Sequence, residues 1–105
     1  MTKAYVVQKS RKMDFSSLDR WGEPIFLFGR GFYPDDVVEN KKYVNALCDS
    51  KLADFNLYTD YLVPVGCTTT SIMVGAWLIN HGYNGFRVLK WDNRYGEYYP
   101  IHVGE

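Results

Sequence analysis

Metal-binding cysteine patterns, an excess of charge of one sign and long apolar runs are all missing from this sequence. Cys48 and Cys67 are its two cysteines, and their spacing fits no metal site, so we interpret them as free thiols in a reducing cytosol. The formal net charge is zero, which argues against a coat for nucleic acid, because such a coat needs a basic surface. Every apolar run is shorter than the roughly 18 residues of a membrane span.

Sequence motifs of common catalysts are also missing. The chain has no Walker lysine and no Gly-x-Gly-x-x-Gly, and neither His81 nor His102 belongs to a Cys/His or His/Asp motif. We therefore assign no catalytic residue, metal ligand or cofactor, and we expect a protein that is not an enzyme. Residues 1–12 carry charges without a long apolar core, so we expect no signal peptide and place the protein in the cytoplasm.

The composition is that of a folded chain. Hydrophobic residues make up 47% of the sequence and aromatic residues 17%, which is enough for a core without disulfides. The length of 105 residues predicts one domain over residues 1–105.

The stretch from residue 60 to residue 82 organises the prediction. Residues 61–65 form a short apolar run that predicts a strand, and Gly66 suits a sharp exit from it. A threonine then fits the N-cap of a helix, and residues 72–79 are apolar on nearly every side. Such a helix needs cover on nearly every side, and we expect Trp77 and Leu78 to be buried.

The remaining elements follow from local patterns. Apolar runs predict strands at residues 4–8, 24–28, 86–91 and 97–103. Helical spacing predicts a short helix at residues 14–21, and a longer one that opens at Asp35 and Asp36 and ends between Asp49 and Asn56. Pro100 places the last strand at a sheet edge or a bulge, because proline donates no ladder hydrogen bond.

This order predicts an α/β fold. We expect one mixed five-stranded sheet with two main helices, one short N-terminal helix and a C-terminal β-hairpin. The strand order stays open. If the third strand lay between the second and the fourth, the second main helix would need cover from the short helix or from a second subunit.

Two places are candidate sites. The strand–turn–helix at residues 61–72 could bind an anion at its helix N-terminus through Gly66, Thr68 and Thr69, with Arg30 as the charge partner. The alternative for this turn is an ordinary capped helix start.

The hairpin at residues 86–103 is the second candidate, as an interface that contains Trp91, Arg94, Tyr95 and Tyr98. Alternation along its last strand turns Tyr98 outward and Tyr99, with Ile101 and Val103, toward the core. The alternative is that these aromatic residues only pack the hairpin.

Several segments resemble a known group of proteins. They are YVVQ, FSSLDRWGEPIFLF, DYLVPVG and FRVLKWDNRYGEYYPIHV, in this order. Together they resemble a group of small, uncharacterised proteins encoded in bacteriophage genomes, whose pattern includes YVVQ, DYLLPVGDP and RLLKWD. The chain departs from this pattern at Cys67 and Thr68, where the group has Asp-Pro, and in its Gly29-Arg30-Gly31 loop.

These observations favour one function and leave a second open. The first function is that of a small, phage-type, non-enzymatic binding protein in the host cytoplasm that engages a host or phage protein through the aromatic hairpin. A homodimer, with the last strand as an edge open to pairing with a second copy, comes before a complex with a host protein as the expected assembly. The second function is that of a small protein that binds a nucleotide or another phosphate ligand at residues 61–72.

Overall fold

The computed structural model describes residues 2–9, 13–29 and 37–104. Arg30 and the predicted helix opening at Asp35 and Asp36 lie outside these residues. In chain order the elements are β1 (Lys3–Gln8), a 3₁₀ helix (Ser16–Arg20), β2 (Glu23–Phe28), α1 (Val37–Lys51), β3 (Tyr61–Val63), α2 (Thr68–Asn80), β4 (Gly85–Asp92) and β5 (Glu97–Gly104).

One mixed sheet contains all five of these strands, in the order β2-β1-β3-β4-β5. The pairs β1–β2, β1–β3 and β3–β4 are parallel, and β4–β5 is an antiparallel hairpin. The α/β fold, the mixed five-stranded sheet and the terminal hairpin are therefore confirmed. The strand order, which the sequence left open, places the third strand between the first and the fourth.

The two faces of the sheet carry different layers. Tyr5 and Val7 face the core that α1 and α2 cover, whereas Ala4 and Val6 face a second core that contains Leu18 of the 3₁₀ helix. The chain moves from β1 to β2 in one direction across the sheet and from β2 through β3 to β4 in the other. Right-handed crossovers in opposite directions place their helices on opposite faces.

This layering decides what covers α2. Its inward residues Val74, Trp77 and Leu78 are buried, which confirms the prediction for Trp77 and Leu78. Its outward residues Ile72 and Ile79 are 66% and 42% exposed. Cover by the short N-terminal helix, one of the two predicted alternatives, is wrong, because that helix lies on the opposite face of the sheet.

Local chemistry accounts for the element boundaries. β3 ends at Val63, two residues earlier than predicted, where Pro64 removes a backbone donor and the N–H of Val65 bonds to the carbonyl of Val63 at 2.9 Å. Helix α2 begins at Thr68 with Cys67, rather than a threonine, in the N-cap position. No helix of the described residues is long and apolar enough to cross a membrane.

Candidate functional site

The first predicted site lies at the carboxyl ends of the parallel strands. The chain leaves β1 toward one edge of the sheet and leaves β3 toward the other, so the direction of winding reverses between these two neighbours. Open α/β sheets bind ligands in the crevice at such a reversal. Gly66 and Cys67 follow β3 at this point, and Gln8 ends β1 beside them.

A close contact between these strands shapes the turn. Gly66 has a φ of +94°, which glycine adopts readily, and a Cβ atom on it would lie 2.6 Å from Cβ of Gln8. The N–H of Cys67 donates a hydrogen bond to Oε1 of Gln8 at 3.0 Å. One of the amides available for an anion is thus already bonded within the protein.

The other residues of this turn lie at the opening of α2. Thr68 and Thr69 are exposed and Thr70 is buried, while the N–H of Ser71 donates to the carbonyl of Cys67 at 3.1 Å. The fold brings Gly66 and the two exposed threonines together as predicted. Their proposed charge partner, Arg30, lies outside the described residues.

Cys67 is the most reactive group that this turn offers. Hydrogen bonds from Thr70, then from Thr69, lower the pKa of its half-buried thiol. His81 lies at the far end of α2, so this histidine is not placed to act as a base for the thiol. The arrangement favours ionisation of a thiol that external reagents can reach.

The second predicted site, the hairpin, divides into two environments. Trp91 and Tyr98 pack edge to face, with ring centroids 4.9 Å apart, in the core that contains Leu18. Tyr98 is only 3% exposed, so the prediction that it faces outward is wrong. The physical reason is the 3₁₀ helix, which lies on this face of the sheet.

Arg94 and Tyr95 lie in the hairpin turn, where both are exposed. The Arg94 guanidinium lies 5.4 Å from the centre of the Tyr95 ring, and its Nε lies 3.3 Å from Oδ1 of Asp92. The four predicted interface residues therefore separate into an exposed pair at the turn and a packed pair beneath the 3₁₀ helix.

The opposite face of β5 holds exposed apolar residues. Val103, Ile101 and Tyr99 pair with Phe86, Val88 and Lys90 of β4 and share the face on which α1 and α2 lie. They are nevertheless 38%, 39% and 38% exposed, although alternation predicted that they face the core. We call these three residues the β5 row.

The width of the helical layer explains why the β5 row is exposed. A helix about 10 Å wide covers roughly two strands spaced 4.8 Å apart, so two helices cover about four strands. The fifth strand then extends beyond the helical layer. This count of helices and strands was available in the sequence, but the identity of the uncovered strand depends on the strand order.

Sequence reasoning also missed a groove between α1 and α2. It encloses about 750 Å³ and is lined by Val37, Asn40, Lys41, Val44, Asn45, Asp49, Met73, Ala76, Trp77, Asn80 and His81. Nε1 of Trp77 donates to Oδ1 of Asp49 at 2.9 Å, and the His81 ring stacks on Trp77 with centroids 3.9 Å apart. The spacing of Trp77 and His81, one helical turn apart, was the available signal.

Metal-ligand side chains do not gather in threes anywhere in the described part of the chain. Comparison with curated proteins and with solved structures finds no match. A model of the family described as Phage Pam3 gp32-like protein matches residues 2–105, which is nearly the whole chain. The chain is therefore a phage-type protein that belongs to the Phage Pam3 gp32-like protein family.

Proposed function

We propose that this protein is a non-enzymatic binding protein that engages a host or phage protein through its C-terminal hairpin, in the cytoplasm of the host cell. The observation that carries this proposal is the β5 row. Tyr99, Ile101 and Val103 are apolar, each more than one-third exposed, and aligned on a sheet face without a helix over it. Contiguous exposed apolar groups of this kind are typical of contact sites between proteins.

The edge of β5 favours contact through this face over strand pairing. Pro100 pairs with Leu89 in the antiparallel ladder between β5 and β4. Because proline has no N–H, these two residues must form one of the non-hydrogen-bonded pairs that alternate with hydrogen-bonded pairs along the ladder. The nitrogen of Pro100 therefore points away from β4, where an added strand would need a donor. A homodimer that pairs β5 edges is correspondingly disfavoured.

The other edge of the sheet has similar protection. Pro24 lies in β2, and Nζ of Lys51 donates to the carbonyl of Phe26 at 2.9 Å. Proline and lysine at edge strands hinder the addition of another strand. We therefore infer that partners bind the apolar face of the hairpin and do not extend the sheet.

The experiment compares two variants that carry the same change at different places. Tyr99→Ser alters the β5 row, and Tyr58→Ser alters a residue outside the hairpin that is 83% exposed. Each variant is used to capture partners from infected host cells, and any partner that the parent retains is then purified and titrated by calorimetry. We expect the first variant to weaken binding at least tenfold and the control to bind like the parent.

Equal binding by the two variants would remove the β5 row from the interface. A change of Trp91 and Tyr98 is not suitable for this test, because both side chains pack in the core and their removal would destabilise the fold. Arg94→Ala, at the exposed hairpin turn, measures whether the tip contributes to the same contact.

A second candidate is a protein that binds a nucleotide or another phosphate ligand at residues 61–72. The position of the turn at the reversal of winding favours it. Thermal unfolding with nucleotides at millimolar concentration tests it, since a ligand of the native state raises the midpoint. We expect the shift to shrink in Thr68→Ala with Thr69→Ala, and no shift with any nucleotide or inorganic phosphate would reject this candidate.

A further inference from the structure

Helix α2 is apolar on its outer as well as its inner side. None of the 13 residues of Thr68–Asn80 is charged, and Ile72, Ala76 and Ile79 on the outer side are all exposed. Helices that are apolar all round are normally buried. Neither the sheet nor the 3₁₀ helix covers this side.

The outer side of α2 has a symmetric pattern. Ile72 and Ile79 are equidistant from the point between Gly75 and Ala76, so two large residues flank two small ones. When two such helices pack antiparallel at this point, Ile72 of each copy contacts Ile79 of the partner subunit. The small residues at the centre allow the two backbones to approach closely.

The charges of the neighbouring groove follow the same symmetry. Val37 and Lys41 line one end of it, and Asp49 and His81 line the other. A two-fold axis across α2 exchanges the ends, so that Lys41 of one copy faces Asp49 of the partner subunit. A self-complementary surface of this kind is what a two-fold dimer requires.

We propose that two copies of this chain form a dimer in which their α2 helices pack antiparallel about a two-fold axis at Gly75 and Ala76. The exposed Val37 and Val38 of α1 lie on the same helical layer and extend the contact. The zero net charge of the chain means that two copies do not repel each other overall. The residues of this interface differ from those of the β5 row, so the proposed dimer does not rest on the proposed hairpin function.

Sedimentation of the full chain tests the proposal. We expect a concentration-dependent dimer for the parent and at least a tenfold weaker dimer for Ala76→Arg, which places two like charges at the axis. Tyr58→Arg adds the same charge outside the helical layer and should dimerise like the parent. A parent that stays monomeric up to ~1 mM, or an Ala76→Arg variant that dimerises normally, overturns the proposal.

Crosslinking tests the antiparallel geometry and does not depend on Ala76→Arg. In a Cys67→Ala background, Ile72→Cys and Ile79→Cys chains are oxidised to form a disulfide, which requires Cα atoms within about 7 Å, while Cys48 stays buried. We expect a crosslinked dimer from the mixture and almost none from either variant alone. Efficient crosslinking of one variant with itself, or none in the mixture, contradicts the antiparallel contact. If changes in the hairpin abolish partner binding but the protein still dimerises, the result bears on the proposed function and not on the dimer.

Discussion

Oε1 of Gln8 accepts a hydrogen bond from the backbone N–H of Cys67 at 3.0 Å, across 59 positions of the sequence. This bond joins the end of β1 to the turn that opens α2. Cβ of Gln8 also occupies the space beside Gly66, so the backbone of the turn and this side chain determine each other's position.

Substitution of two glycines with similar backbone angles distinguishes the cost of backbone strain from the cost of a steric clash. Gly66 and Gly82 have φ of +94° and +91°, but only Gly66 has an atom within 4 Å of an added Cβ. Gly82→Ala should lower the free energy of unfolding by about 1–2 kcal/mol through strain alone. Gly66→Ala should cost clearly more, because its Cβ collides with Gln8. If urea denaturation gives the same loss in the free energy of unfolding for both variants, the turn moves away from β1 to accommodate the added Cβ of Gly66→Ala.

Removal of Trp77 should be costly. The side chain is 8% exposed and fills the space between α1, α2 and the sheet, so Trp77→Ala should lower the free energy of unfolding by roughly 3–5 kcal/mol. Asp49→Ala removes the acceptor of the indole N–H and a carboxylate 3.9 Å from Nε2 of His81, at an exposed site, and should cost about 1 kcal/mol. A loss below about 1 kcal/mol for Trp77→Ala in denaturant titration would show that α2 is peripheral.

The hydroxyl of Tyr98 should be dispensable for stability. It is buried, and no described residue forms a hydrogen bond with it. Tyr98→Phe should therefore raise the free energy of unfolding, by about 1 kcal/mol, because a buried polar group without a partner is unfavourable. Tyr61→Phe is the matched control and should be destabilising, since the Tyr61 hydroxyl accepts a bond from Nη1 of Arg87 at 3.1 Å. A clear decrease in the stability of Tyr98→Phe, measured by thermal and urea unfolding, would contradict this prediction.

The two thiols should differ strongly in reactivity. Hydrogen bonds from Thr70 and Thr69 lower the pKa of Cys67, whereas burial raises the pKa of Cys48 to about 12. Iodoacetamide at neutral pH should alkylate Cys67 rapidly and Cys48 only after unfolding, as peptide mass spectrometry can measure. Thr70→Val should slow the alkylation of Cys67 by raising its pKa, and an unchanged rate would show that this residue has no such effect.

Stability should decrease in alkaline solution. Burial, with a smaller contribution from Asp60, raises the pKa of Tyr5 from 10.0 to about 12, and burial raises that of Cys48 from 9.0 to about 12. Above these ordinary values the unfolded chain loses protons that the native protein retains, so the free energy of unfolding falls as pH rises from 9 toward 12. Each group contributes a slope of at most ~1.4 kcal/mol per pH unit.

Tyr5→Phe isolates one of these groups. The variant should show a smaller loss of stability between pH 10 and 12 than the parent, when both are followed by urea denaturation. Identical pH profiles would mean that the pKa of Tyr5 is the same in the native and unfolded states.

Local sequence patterns were sufficient to predict the strands and helices. The apolar run at residues 4–8 predicted a strand, and β1 spans Lys3–Gln8. The position of Gly66 between a strand and a helix was predicted because the backbone needs of a sharp turn are local. The family resemblance was also available in the sequence, since it rests on segments distributed along almost the whole chain.

Only the tertiary structure decided which neighbours these elements meet. Sequence alternation grouped Tyr99 with Ile101 and separated both from Tyr98, but it could not show that the 3₁₀ helix covers Tyr98 and that no helix covers the other two. The bond from Cys67 to Gln8 was equally invisible, because it depends on β1 and β3 being neighbours. Strand order and the direction of each crossover are set by packing over the whole sheet, and no local pattern encodes them.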